Sequence, residues 1–106
     1  QIILRKVLSE IDIAAQMLSG CTMEAFTADE MRKRAVCMTV INIGELVKSL
    51  SDDCRRQHAD IPWKEIAGFR DIAAHKYQTL RMDDVFETVS SDFPTLRQQI
   101  MDLLDE

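Results

Sequence analysis

Residue types that can carry out chemistry concentrate in residues 70–77, whose sequence is RDIAAHKY. On one helix, Asp71 and His75 lie four residues apart on the same face, so the carboxylate can orient the imidazole. Arg70 lies five residues before His75, about 140° around a regular helix and roughly 7.5 Å along it. The two side chains of one copy therefore do not converge unless the helix ends or distorts there. Two copies related by a two-fold axis can bring them into one cleft, so the spacing favours a site at a dimer interface.

An arginine paired with a histidine suits the cleavage of RNA without a metal ion. His75 can take a proton from the ribose 2′-OH, or give one to the leaving 5′-oxygen, near neutral pH. Arg70 can stabilise the extra negative charge on the phosphate in the transition state. The sequence lacks the carboxylate or histidine spacing of a metal site, so we expect no metal ion or other cofactor. Because the pattern is short, a structural His75 with surface charges at Arg70 and Asp71 is the alternative.

The charge distribution restricts where a nucleic acid can bind. The chain has 13 Lys and Arg against 18 Asp and Glu, a net charge of −5. Residues 64–81 carry a net +2 and residues 82–106 a net −6. Because phosphate affinity comes from accumulated cationic contacts, RNA contacts are expected locally, within residues 64–81. The basic run at residues 32–34 is typical of a solvated helix face, with a contact to RNA or to an acidic segment of a partner as the alternative.

Hydrophobic periodicity and scarce turn-forming residues predict an all-α protein. Three Gly and two Pro are too few for a barrel or sandwich of many short strands. We expect an antiparallel bundle of about five helices forming a single domain over residues 1–106. The predicted helices are 2–18, about 28–50 with Thr27 or Asp29 as N-cap, and 62 to 74 or 76. A short helix capped by Asp83 or Asp84 follows, and residues 92–94 both break it and start the last helix. Residues 22–28 and 51–61 are predicted to be connections.

The second predicted helix has a broad apolar stripe. Val36, Val40, Ile43 and Val47 follow the helical period, and neighbouring apolar residues widen the stripe. Such a helix is expected to contact more than one neighbour. We predict that apolar surface around residues 36–47 stays exposed and forms the interface between two copies.

Cysteines and hydropathy favour a cytoplasmic protein. The chain has three cysteines, an odd number, at Cys21, Cys37 and Cys54, and no two of them form a C-x-x-C pair. This pattern predicts reduced thiols rather than disulfides or a zinc site. No stretch approaches the roughly 18 consecutive apolar residues of a membrane span, and the first residues do not resemble a signal peptide. We therefore expect no membrane contact.

Four segments, in this order along nearly the whole chain, resemble one family. They are IGE at 43–45, IPWKEIAGFR at 61–70, the Arg-x4-His-x-Tyr motif at 70–77, and FETV followed by DFPTL at 86–96. The third is similar to the signature of the HEPN superfamily (higher eukaryote and prokaryote nucleotide-binding domains). Together the four resemble the HepT-like toxins within that superfamily.

This resemblance implies a small helical bundle that forms homodimers with the motifs facing a shared cleft. It implies a metal-independent endoribonuclease toxin, with tRNA or mRNA as candidate substrates, encoded beside a minimal nucleotidyltransferase antitoxin. In the family that antitoxin neutralises the toxin by transferring AMP to the motif tyrosine. Carried over residue by residue, Arg70 and His75 are catalytic, Asp71 supports them, and Tyr77 accepts AMP.

Lys76 departs from the family pattern, in which the residue between the His and the Tyr is often small. It is either a phosphate contact for RNA or a solvated cation that suits a helix end. A different class of function also stays open, namely a catalytically weak module that binds a nucleotide or a nucleotidyltransferase partner. A purely structural dimer is the third alternative.

Overall fold

The computed structural model describes the backbone of residues 2–75 and 77–105, and their side chains except those of residues 70–75 and 78. This part of the chain contains no strand, which confirms the all-α prediction. The α-helices are α1 (Ile2–Leu18), α2 (Met23–Ala28), α3 (Glu30–Lys48), α4 (Asp52–Gln57), α5 (Trp63–His75), α6 (Met82–Glu87) and α7 (Phe93–Leu104). A 3-10 turn, Tyr77–Thr79, follows α5, and a π-helical turn, Thr88–Asp92, joins α6 to α7.

Helix α3 is the centre of the bundle, because it packs against both α1 and α5. Val36, Val40, Ile43 and Val47 are at most 3% exposed. The expectation that this stripe is exposed for a second copy is therefore wrong. A helix with neighbours on two sides is apolar over a wide arc, and here both neighbours belong to the same chain. Burying each of these side chains stabilises the fold by about 1.5–3 kcal/mol.

Helix α1 has the predicted bounds and buries one face. Leu4, Val7, Ile11 and Leu18 lie in the core. Ala14 is buried there with them, whereas Ala15 is exposed. Both alanines are spaced three or four residues from Ile11 and Leu18, so the periodic pattern alone did not separate them.

The two segments predicted as connections each contain a short helix. Thr22 caps α2, its hydroxyl accepting from the backbone N–H of Ala25 at 3.1 Å. Ser51 caps α4 in the same way, accepting from Cys54 at 3.1 Å. Such caps satisfy otherwise unpaired N–H groups at a helix start. The main helix after α2 accordingly begins at Glu30, with the predicted Asp29 as its N-cap.

The C-terminal part differs from the predicted pattern at both of its boundaries. Arg81, not Asp83 or Asp84, is the N-cap of α6, and both carboxylates lie in its first turn. The last helix begins at Phe93 as predicted, but no break precedes it, because the backbone stays helical through the π-turn. Phe93 N–H bonds to the carbonyl five residues earlier, at Thr88. This wider turn accommodates Pro94, which has no N–H to donate.

None of the helices described above is long and apolar enough to cross a bilayer.

Replacement of Phe26 tests whether the short helix α2 belongs to the core. Its side chain is fully buried, and its ring centroid lies 5.7 Å from that of Phe86. Phe26→Ala is expected to lower the free energy of unfolding by about 3–5 kcal/mol, measured by denaturant titration. Met31→Ala is the control, because Met31 is 84% exposed and its loss should change stability by less than about 0.5 kcal/mol. Equal, small effects of the two variants would contradict the role of α2 in the core.

Candidate functional site

The candidate catalytic residues share helix α5. Arg70, Asp71 and His75 all fall within Trp63–His75, which confirms that the predicted helix is present. Their side chains lie outside the described residues, as does the whole of Lys76. Because the backbone is α-helical from Arg70 to His75, the regular spacing used above applies to it.

The start of α5 is fixed by Trp63. The indole is 6% exposed, and its Nε1–H donates to the carbonyl of His58 at 3.0 Å. Ile61, just before it, is also buried. Trp63 is therefore a core residue that holds the N-terminal end of the helix. Further along α5, Ile66 and Phe69 are half-buried against the core.

Tyr77 is held against the first turns of α3 by two side chains. Its hydroxyl donates to Oε1 of Glu30 at 3.4 Å. The guanidinium carbon of Arg34 lies 5.2 Å from the centroid of the phenol ring, within the range of a cation–π interaction. Although Tyr77 is 47 residues from Glu30 in sequence, this contact joins the chain just after α5 to the start of α3. We call Glu30 and Arg34 the Tyr77 seat.

The seat is itself fixed by ion pairs. Arg34 Nε lies 2.9 Å from Oε1 of Glu30, and Lys33 Nζ lies 3.0 Å from Oε2. Asp29 accepts from the backbone N–H of Arg32 at 3.0 Å and so fixes the first turn of α3. The basic run is therefore more than a solvated face, since one of its members covers the ring of Tyr77.

The protonation states agree with this geometry. Hydrogen bonding and the charge of Lys33, together with Arg34, lower the pKa of Glu30, so that it is a carboxylate acceptor. Burial raises the pKa of Tyr77, and the negative charge of Glu30 raises it further, while Arg34 lowers it. Burial also raises the pKa of Cys37 to about 11. The charge of an ionised Cys37 in turn raises the pKa of Tyr77. At neutral pH the site therefore presents a neutral phenol donating to a carboxylate.

The described part of the chain has two further features that bear on function. It contains no group of three or more His, Cys, Asp or Glu side chains arranged to hold a metal ion. The three cysteines are free thiols, as predicted. A cavity of about 400 Å³ between α3, α5 and α7 is walled mainly by apolar side chains, among them Val40, Phe69 and Leu96. It has no arrangement of groups that suggests chemistry.

Sequence reasoning identified Tyr77 but missed Glu30 and Arg34. Their spacing of four residues at the start of a helix was a visible sign of an ion pair. Nothing in the sequence linked that pair to a tyrosine 47 residues away, because the link depends on how α5 and α3 pack.

The family and the known proteins that this chain is similar to are named as ribonucleases, in one case together with a second activity. A family model described as "Ribonuclease HepT-like" matches residues 7–103. A "Putative RNase" of Caldanaerobacter subterraneus subsp. tengcongensis is 33% identical over 103 residues, covering 97% of this chain and 92% of the relative. A "Probable ribonuclease HepT" of Thermococcus cleftensis is 30% identical, covering 89% of this chain and 86% of the relative. A "Gamma-glutamylcyclotransferase and putative RNase" of Methanocaldococcus jannaschii is 30% identical over all of this chain, which spans 48% of that longer protein. No solved structure matches.

The phenol titration tests the seat directly, because Tyr77 is the one tyrosine in the sequence. Glu30→Gln is expected to lower the pKa of Tyr77, since it removes a negative charge and a charged acceptor. Arg34→Gln is expected to raise it, since it removes the cation over the ring. The measurement is phenolate absorbance against pH.

Asp83→Asn is the matched control, because Asp83 is an exposed carboxylate that pairs instead with Arg81 at 2.7 Å. The titration of Tyr77 should be unchanged in this variant. Shifts of the same sign in Glu30→Gln and Arg34→Gln, or no shift in either, would contradict the contacts described here.

Proposed function

This chain belongs to the HepT-like family of the HEPN superfamily, and on that premise we propose that it is a metal-independent endoribonuclease. The observation that carries the proposal is the match of the family model to residues 7–103, which includes all of α5 with Arg70, Asp71 and His75. The relatives named as ribonucleases support it. Its substrate is RNA, with tRNA and mRNA as candidates.

The proposed reaction is an attack of the ribose 2′-oxygen on the adjacent phosphorus. The bond from phosphorus to the 5′-oxygen breaks as the new bond forms. His75 accepts the proton of the 2′-OH or supplies one to the leaving oxygen, and Asp71 orients the imidazole. Arg70 stabilises the charge that builds up on the phosphate oxygens. Lys76 provides a further phosphate contact.

A homodimer is part of this proposal. Positions five residues apart on a regular helix differ by about 140° around its axis, so the spacing of Arg70 and His75 on α5 does not favour convergence within one copy. A two-fold arrangement places the Arg of one copy and the His of the other in one cleft. The 36–47 stripe is buried in its own chain, so the interface must use other surfaces, around α5 itself.

We further propose that the protein is the toxin of a cytoplasmic toxin–antitoxin pair. Its partner is a minimal nucleotidyltransferase, which neutralises it by transferring AMP from ATP to the hydroxyl of Tyr77. The position of Tyr77 two residues after the end of α5, in the turn Tyr77–Thr79, supports this assignment, because a nucleotide attached there carries negative charge close to the catalytic helix.

RNA cleavage in EDTA tests the proposed activity. His75→Ala is expected to reduce the cleavage rate by about 10²–10⁴-fold, because a proton-transfer group is lost. Arg70→Ala is expected to reduce it by about 10²–10³-fold through loss of charge stabilisation. The readout is the rate of product formation from labelled RNA, with circular dichroism to verify that each variant is folded.

His58→Ala is the control, because it removes the other histidine of the chain. Only the backbone carbonyl of residue 58 takes part in the bond to Trp63, and this substitution retains it. Cleavage by His75→Ala at the wild-type rate would contradict the proposal. No cleavage by wild type, together with stoichiometric association with the transferase, would favour a binding module instead.

A further inference from the structure

We propose that Glu30 and Arg34 are positioning residues for the adenylylation of Tyr77, holding its phenol so that the hydroxyl oxygen meets the nucleotide in one fixed orientation. The inference rests on the proposed transfer of AMP to Tyr77 and adds a contribution from the acceptor protein to that reaction. The residues responsible lie on α3, outside the motif at 70–77.

The contacts constrain both the ring and its hydroxyl. The guanidinium carbon of Arg34 lies 5.2 Å from the centroid of the Tyr77 ring, and this contact restricts rotation of the ring about its side-chain torsions. A hydroxyl that donates to Glu30 at 3.4 Å directs its proton toward α3. The lone pairs of the oxygen are then directed away from the carboxylate. The seat thus restricts the two torsions that an acceptor tyrosine must fix.

The Tyr77 seat is accessible to solvent. The side chains of Glu30 and Arg34 are 55% and 63% exposed, although they are paired with each other at 2.9 Å. The phenol therefore lies at the surface, where another protein can present a nucleotide. The positive charge of Arg34 beside the ring also offsets the negative charge of an approaching phosphate.

The chemical step balances with ATP as the co-reactant. The oxygen of Tyr77 forms a bond to the α-phosphorus, and the bond from that phosphorus to the bridging oxygen of the β-phosphate breaks. Pyrophosphate leaves with the electron pair. The phenolic proton is released to water as the new bond forms, so Glu30 orients the hydroxyl and is not itself the proton acceptor.

Glu30 has two effects on this reaction, and they act in opposite directions. Its hydrogen bond holds the phenol in place, which favours transfer. Its negative charge raises the pKa of Tyr77 and so disfavours the phenolate. Ionisation of the neighbouring Cys37 acts in the same direction, whereas the charge of Arg34 lowers the pKa and favours the phenolate. Lys33 faces the same carboxylate. If positioning dominates, Glu30→Gln slows transfer although it makes the phenol more acidic.

The experiment uses the full chain, ATP and the minimal nucleotidyltransferase encoded beside it, with AMP uptake followed by intact mass. In Glu30→Gln and Arg34→Gln the turnover rate is expected to fall about tenfold or more, as for other small losses of alignment. The pH profile of Glu30→Gln should move to lower pH, in parallel with its phenol titration. Asp83→Asn should match wild type, and Tyr77→Phe should take up no AMP.

The outcomes separate the two proposals. Transfer by Glu30→Gln at the wild-type rate or faster, with uptake confined to Tyr77, would overturn the positioning role and leave the proposed modification intact. Absence of uptake by wild type, or uptake by Tyr77→Phe, would overturn both. Slow transfer in Glu30→Gln without a shift of its pH profile would indicate a general structural defect and would also overturn the inference.

Discussion

The burial of α3 between α1 and α5 is the interaction on which the rest of the structure depends. Its apolar stripe is almost fully buried, so the axis of α5 is fixed relative to α3 by the core itself. Two consequences follow for the site. Arg70 and His75 lie on the backbone of α5, and Tyr77, two residues after His75, contacts the first turns of α3.

The long helices were predictable because their patterns are strong. The period of apolar residues in α1 and the proline before Trp63 indicated bounds that match the structure closely. The short helices α2 and α4 were missed because only local capping interactions mark where they begin. Each begins at a single hydroxyl cap, Thr22 for α2 and Ser51 for α4. The composition of both segments is equally typical of a connection without a helix.

The errors about the surface have one common cause. Amphipathicity shows how much of a helix is buried but not which chain covers it, so the 36–47 stripe was assigned to a partner although α1 and α5 cover it. The seat of Tyr77 was missed for a similar reason. Glu30 and Arg34 form an ordinary helical ion pair in the sequence, and only the packing of α5 on α3 brings the phenol to them.

The central claim is that Arg70 of one copy and His75 of another act in one cleft, because a regular α5 does not let them converge within a copy. The most direct measurement is RNA cleavage by a refolded mixture of Arg70→Ala and His75→Ala chains. A mixed dimer retains one intact pair across the interface, so the mixture should cleave RNA although neither variant does so alone. A mixture as inactive as its components, with mixed dimers demonstrably formed, would contradict the claim.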